Sequence, residues 1–361
     1  MAFAAPPDAA AGRTVLRRAL GRWDLTAVGI NQVIGSGVFL LPAAVAAHAG
    51  GWSPIVVAAM GGVSLLFALS FAEAASRFDA TGGPYLFARA AFGRFAGFEA
   101  GWMLWFTRAA SWASVVNGLA DSLGYYLPVL RAGAWRALTI TSAVAIVTGI
   151  NASGIRLSAA VINVFTIGKL LPLVVFIAVG LFAADFSRLA PGEPPDVRSV
   201  ALAAVLLVFA FGGYEVVPVV AGESRDPRRA IPFALIATIA VVTAILTLAQ
   251  LIAAAALPDL PRSRTPLADA AGVLLGPPGA LLVTAGAVVS MSGNNLGQSL
   301  SGSRNLYALA EQRDIPAVFG FVHPLTRTPV VAIVFTGVVV LVLALTGTFV
   351  TLAAGSAVSR L

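Results

Sequence analysis

An all-α integral membrane protein is predicted by three features of this 361-residue sequence. Hydrophobic residues make up 58% against 11% charged, and the mean hydropathy is +0.90. Nine apolar runs are each long enough to cross a bilayer. A soluble domain carries about 25% charged residues. So few charges cannot cover a water-facing surface, so most of this surface must face lipid.

A spanning helix needs about 20 mostly apolar residues. The runs fall at roughly 25–48, 53–76, 97–128, 135–152, 157–183, 199–221, 232–257, 277–310 and 329–346, and a tenth begins near 348. Runs 97–128 and 277–310 exceed one bilayer thickness, so they are expected to tilt or to continue as helix beyond the membrane. The polar stretches 184–198 and 258–269 are too short to fold alone. The chain therefore divides into a tail, 1–24, and a single transmembrane domain, 25–361. The first twenty residues are rich in Ala and Pro and then basic, with no apolar core before a cleavage site, which predicts a cytoplasmic tail.

Orientation follows from the basic residues. Of the 23 Lys and Arg, fourteen arginines fall in inner segments and six in outer ones if the N-terminus is inside. That bias predicts a multi-pass protein of the inner (cytoplasmic) membrane with a cytoplasmic N-terminus. The net charge of +7 is thus a topology signal, and nucleic acid is not an expected partner. The chain has no Cys and two His, which argues against disulfides, thiol catalysis and a metal site. It contains no Gly-x-Ser-x-Gly elbow, no His-Glu-x-x-His and no Walker A motif. No catalytic residue and no cofactor are expected, and any transport would draw on gradients rather than ATP.

Two runs are interrupted by glycine. Run 1 contains Gly35-Ser36-Gly37, and run 6, five spans later, contains Gly212-Gly213. Glycine costs about 1 kcal/mol in a helix interior relative to alanine. Unwound backbone is tolerated at membrane depth only where it lines a cavity or is buried by protein. The freed N–H groups and the half-helix dipole suit a carboxylate, and the freed carbonyls suit an ammonium. Close helix packing explains such glycines equally well one at a time. Their matching place in both halves favours a site.

Four segments carry a family resemblance, in order along nearly the whole chain. They are "GINQVIGSGVFLLP" (29–42), "FAEAASRFDATGGPYLFARAAFG" (71–93), "FAFGGYEVVPVVAGESRDPRRAIP" (209–232), and "GSRNLYALAEQRDIP" (302–316) followed by "VHPLTRTPVVAI" (322–333). Together they resemble the amino acid–polyamine–organocation (APC) superfamily. The resemblance implies a LeuT-type fold of two inverted five-helix repeats, about 25–183 and about 199–361, with helices 1 and 6 broken and the solute site at the midplane. It implies a permease that moves amino acids or related amines. Ile34, Gly35, Ser36 and Gly37 would bind the solute carboxylate, and Phe209, Ala210, Phe211 and Gly212 would line the opposite side, with Phe209 as an aromatic gate. Family members usually carry two further helices after the tenth, whereas this sequence stops early in its tenth, so the second repeat reads as incomplete. The alternative is a non-transporting solute-binding sensor or subunit.

A charge at mid-bilayer is a functional candidate by default. Lys169 is the only lysine in the chain and lies near the middle of run 5. An arginine would keep its charge there, whereas a buried lysine can release a proton. Lys169 is thus a candidate proton carrier, and protons are an expected partner besides the solute and the bilayer. The resemblance places it where some proton-coupled members carry a lysine in place of a sodium ion. The alternative is a lysine snorkelling to the interface. Glu215, just after the second break, is either a proton site or a cap for freed amides. Arg108 is too far along its own helix from Glu99 and Asp121 to pair with either, so it needs a partner on another helix or a solute carboxylate. Asn294, Asn295, Ser299 and Ser303 read as interhelical glue; the alternative for Ser299 and Ser303 is to face the ion position, and Asn294 and Ser299 are possible site residues. Glu73 reads as a helix-face partner of Arg77, and Trp23, Trp52, Trp102 and Trp105 as anchors or packing.

Overall fold

The structure is a computed structural model that describes residues 21–78, 83–153, 155–189, 192–326 and 328–360. The expected tail, as far as residue 20, lies outside the described residues, as do Arg327 and the segment 79–82. Among the described residues eleven α-helices are joined by short 3₁₀ turns, with no strand.

The first apolar run is two helices, α1 (Arg22–Val33) and α2 (Gly37–Ala49). Asp24 accepts a hydrogen bond from the Gly21 N–H at 2.8 Å and so satisfies one donor that a helix start leaves open. α1 stops at Ile34, whose ψ of 88° leaves the helical region, and α2 resumes after Ser36. Helix α3 (Ser53–Ala75) carries Pro54 in its first turn, where the missing N–H costs nothing.

Helix α4 (Pro84–Leu123) turns at Gly93, where φ is 88° and ψ −175°. A short leading helix therefore feeds a long span, and the third run, 97–128, lies wholly after the turn. Then come α5 (Gly133–Ser153), α6 (Ile155–Ala183) and α7 (Val197–Phe211). Asp196 starts α7 by accepting from the Ser199 N–H at 2.7 Å. α7 ends at Gly212, and a 3₁₀ segment, Tyr214–Glu223, completes that run. Helix α8 is Pro227–Ala256. Helix α9 (Pro266–Glu311) repeats the device of α4, turning at Gly276 with φ 70° and ψ −169° before Pro277-Pro278. Helices α10 (Val330–Thr346) and α11 (Phe349–Val358) follow.

By length and hydropathy alone, six segments qualify as membrane spans among the described residues. The nine-run reading is larger for physical reasons. The first two runs count as one segment, Gly37–Ala75, because only a 3₁₀ turn separates α2 from α3. The span of α4 carries Glu99, Arg108, Asn117 and Asp121. α10 is 17 residues long. Every expected run is nonetheless occupied by helix.

α3 lies along α8, and α4 and α6 both lie along α9. The main core joins Phe39 and Leu41 of α2, Phe176 of α6, Leu207 and Phe211 of α7, Ile252 of α8 and Met291 of α9. Large apolar side chains such as Leu66, Ile146, Ile167, Phe182 and Val338 point outward and are exposed. In water so much apolar surface would drive association; in lipid it is the solvated face.

Candidate functional site

The two breaks meet at the centre of the bundle. Gly213 has φ 129°, and a Cβ there would come 2.6 Å from the Gln32 carbonyl oxygen and 3.0 Å from the Val33 nitrogen. Only glycine permits this backbone-on-backbone approach.

On the α1 side of the break the freed carbonyls are claimed by side chains from other helices, as buried backbone acceptors must be. Lys169 of α6 is fully buried, and its Nζ donates to the carbonyls of Asn31 (2.6 Å) and Ile34 (2.7 Å). Ser290 of α9 donates to the Ile34 and Gly35 carbonyls at 3.2 and 3.0 Å. Asn294 Nδ2 donates to the Gln32 carbonyl at 2.9 Å. On the α2 side, the first N–H groups of the helix have no intrahelical acceptor. Beside them the Ser36 hydroxyl is buried and has no hydrogen-bond partner.

The α7 break is organised by Glu215. Its Oε2 accepts from the Gly213 N–H at 2.7 Å. Its Oε1 stands 2.9 Å from Arg108 Nη2 of α4 and 3.0 Å from Arg360 Nη1, just beyond α11. Arg108 therefore finds its partner on another element, as its spacing from Glu99 and Asp121 required. From Arg108 a chain of polar contacts returns to the α1 break. Arg108 Nη1 donates to Gln298 Oε1 at 3.2 Å, Gln298 Nε2 donates to Asn294 Oδ1 at 3.4 Å, and Asn294 holds the Gln32 carbonyl.

Between the breaks lies a pocket lined by Gln32, Val33, Gly35, Ser36, Gly37, Ser111, Val115, Phe209, Ala210, Gly212, Asn294, Gln298 and Arg360. Seven sequence candidates thus line one pocket: Gly35, Ser36, Gly37, Phe209, Ala210, Gly212 and Asn294. Ile34 and Phe211 are buried just behind it. Lys169, Glu215 and Arg108 support it from outside the lining. Ser299 sits elsewhere, accepting from Asn151 Nδ2 of α5 at 2.6 Å, and Ser303 bonds the Leu300 carbonyl at 3.1 Å. Asn295 is buried with neither amide atom hydrogen-bonded. Phe209 packs edge-to-face on Phe349 of α11, with ring centroids 6.1 Å apart. Sequence reasoning missed Gln32, Ser111, Gln298 and Arg360 as lining residues. Gln32 lies inside the first broken motif, and an arginine in an otherwise apolar tenth run was a usable signal.

A second ionic cluster lies at one end of the bundle. Asp314, after α9, accepts from Arg89 Nη1 (2.6 Å) and Tyr85 Oη (2.9 Å) in the leading helix of α4, and from Arg94 Nε (2.7 Å). Burial works against the charged form of Asp314. Hydrogen bonds from Arg94 and Tyr85 and the charges of Arg89 and Arg94 outweigh it and hold the carboxyl below the ordinary aspartate range. Glu73 and Arg77 pair on one helix face at 2.7 Å, as their spacing predicted. Trp105 is buried and donates to Thr336 at 3.1 Å, so it packs rather than anchors, while Trp23 is exposed.

A helical membrane bundle whose two interrupted spans meet at a buried polar pocket is the build of a solute transporter. The chain belongs to the amino acid permease family, whose pattern matches residues 20–361; it is a transporter and not an enzyme. It is 36% identical over 343 residues to an uncharacterized transporter of Mycobacterium tuberculosis, covering 92% of this chain and 74% of that one. It is 31% identical to the branched-chain amino acid permease BcaP of Bacillus subtilis, covering 91% of this chain and 75% of the permease. It is 30% identical to the serine/threonine exchanger SteT of the same organism, covering 89% and 75%.

Proposed function

We propose that this protein is a secondary transporter that moves an amino acid or a related amine across the cytoplasmic membrane, with proton coupling through Lys169. The observation that carries the reading is the meeting of the two breaks over one pocket, with the open N-terminus of α2 and the unpartnered Ser36 hydroxyl facing it. The N–H groups at Ser36 and Gly37 suit the solute carboxylate. Gly35 shapes that edge, Ile34 anchors it, and Phe209, Ala210, Phe211 and Gly212 form the opposing side, with Phe209 as the gate. Relatives named as a branched-chain permease and a serine/threonine exchanger support amino acids as the cargo, and transport over a solely sensing role. The excess of basic residues in alternate segments supports a cytoplasmic N-terminus.

Lys169 stands among freed carbonyls, where a monovalent cation would otherwise be coordinated. An ammonium has three donors and a neutral amine has fewer. Releasing the proton weakens the hold on Asn31 and Ile34, loosens the α1–α2 break and links proton movement to gating. The test is solute-driven proton uptake in liposomes containing the purified chain. Wild type should acidify the lumen when solute is supplied, and Lys169→Met should lose that signal while still binding solute. Unchanged coupling in Lys169→Met would sink the role of this lysine.

A further inference from the structure

Among the described residues, the pocket wall carries one more buried cation than carboxylates to pair with it. Arg108 and Arg360 share one carboxylate, Glu215. Their guanidinium groups do not deprotonate in proteins, so the cluster keeps a net charge of one cation. The side chain of Arg360 is 11% exposed, that of Arg108 1%. Arg360 Nη2 donates to Ser111 Oγ at 3.3 Å and Nη1 ion-pairs with Glu215 Oε1 at 3.0 Å without hydrogen-bond geometry, while Nε has no acceptor. Nη1 lies over the break itself, because a Cβ on Gly212 would fall 1.3 Å from it. A buried, incompletely bonded guanidinium is costly, and the cost is relieved by an acceptor that enters the pocket.

We propose that Arg360 makes this pocket select a solute with a second anionic group, an amino dicarboxylate of the aspartate or glutamate type, over neutral amino acids. This rests on the reading of the pocket as an amino acid site. The α-carboxylate is met at the N-terminus of α2 beside Ser36. A neutral zwitterion has no net charge, so it leaves the excess cation unmatched. An acidic side chain supplies the missing charge and a planar oxygen pair suited to the guanidinium fork. Arg360 is a specificity residue here, and Arg108 holds Glu215 in place against it.

The test is calorimetric titration of the purified chain with L-glutamate, L-aspartate, L-leucine and L-serine, repeated on two variants. Wild type should bind the dicarboxylates at least about tenfold more tightly than leucine or serine. Arg360→Gln leaves Glu215 paired with Arg108, a neutral couple, so the bundle should survive. Its glutamate affinity should fall about 10- to 100-fold further than its leucine affinity. Arg360→Lys keeps the charge and should keep most of the preference. The ratio of glutamate to leucine affinity is the readout, since a purely structural role would move both together. Equal affinity for neutral and acidic amino acids in wild type overturns the inference and leaves the transporter reading standing. Binding of no amino acid at all overturns the site reading beneath it as well.

Discussion

Two clusters in this molecule contain the same charges, two arginines and one carboxylate, in opposite surroundings. Around Asp314, whose own side chain is only 1% exposed, the side chain of Arg94 is 66% exposed and that of Arg89 27%, so the surplus charge reaches solvent through the arginines. Around Glu215 all three groups are buried between helices. At the surface, water absorbs the extra cation and the cluster is complete as it stands. In the interior the same surplus has no solvent, and it biases whatever enters the neighbouring pocket. Identical composition thus gives a solvated clasp in one place and an unsolvated surplus beside a pocket in the other.

The comparison breaks most easily at Glu215. Glu215→Gln leaves two buried guanidinium groups without a counter-charge, and removing one partner of a buried ion pair costs about 3–5 kcal/mol. The expected result is a steep fall in melting temperature and in monodisperse yield. An unchanged melting curve would mean that the interior arginines reach water, and the contrast with the surface cluster would vanish. Asp314→Asn should do less, about 1–3 kcal/mol, because both arginines can turn to solvent. It should also loosen the leading helix of α4, seen as faster hydrogen exchange over 84–94.

Acid sharpens the contrast further. The Asp314 carboxyl is held below its ordinary range, so it contributes stability that is fully present above the unfolded value, about pH 4. That contribution is lost as pH falls through the folded value. Wild type should therefore lose its advantage over Asp314→Asn as pH drops below about 4, and the two melting curves should converge. A gap that persists undiminished to the lowest pH would show that Asp314 acts through packing rather than charge.

The helices were legible in the sequence because each apolar run declares itself locally. The two breaks were legible for the same reason: Gly35-Ser36-Gly37 and Gly212-Gly213 interrupt their own runs. The charge partners were not. Nothing near Arg108 points to Glu215, and nothing near Ser111 or Gln298 points to a pocket, since helix packing brings together residues far apart in the chain. The turns at Gly93 and Gly276 lie just before the runs that begin at 97 and 277, so hydropathy marked where the long spans start but not the short helices that lead into them. Ser299 shows the converse limit. A polar residue in a buried span is equally good glue, and its bond to Asn151 uses it that way.

The contact between Gly213 and the Gln32 carbonyl has a further consequence, for heredity rather than for transport. A left-handed φ and a neighbour at 2.6 Å leave no room for any side chain. Gly62 and Gly149, by contrast, have nothing within 4 Å of a would-be Cβ. A coding change at codon 213 would therefore have to push the backbone of one half away from the other, whereas changes at codons 62 and 149 meet no neighbour at all.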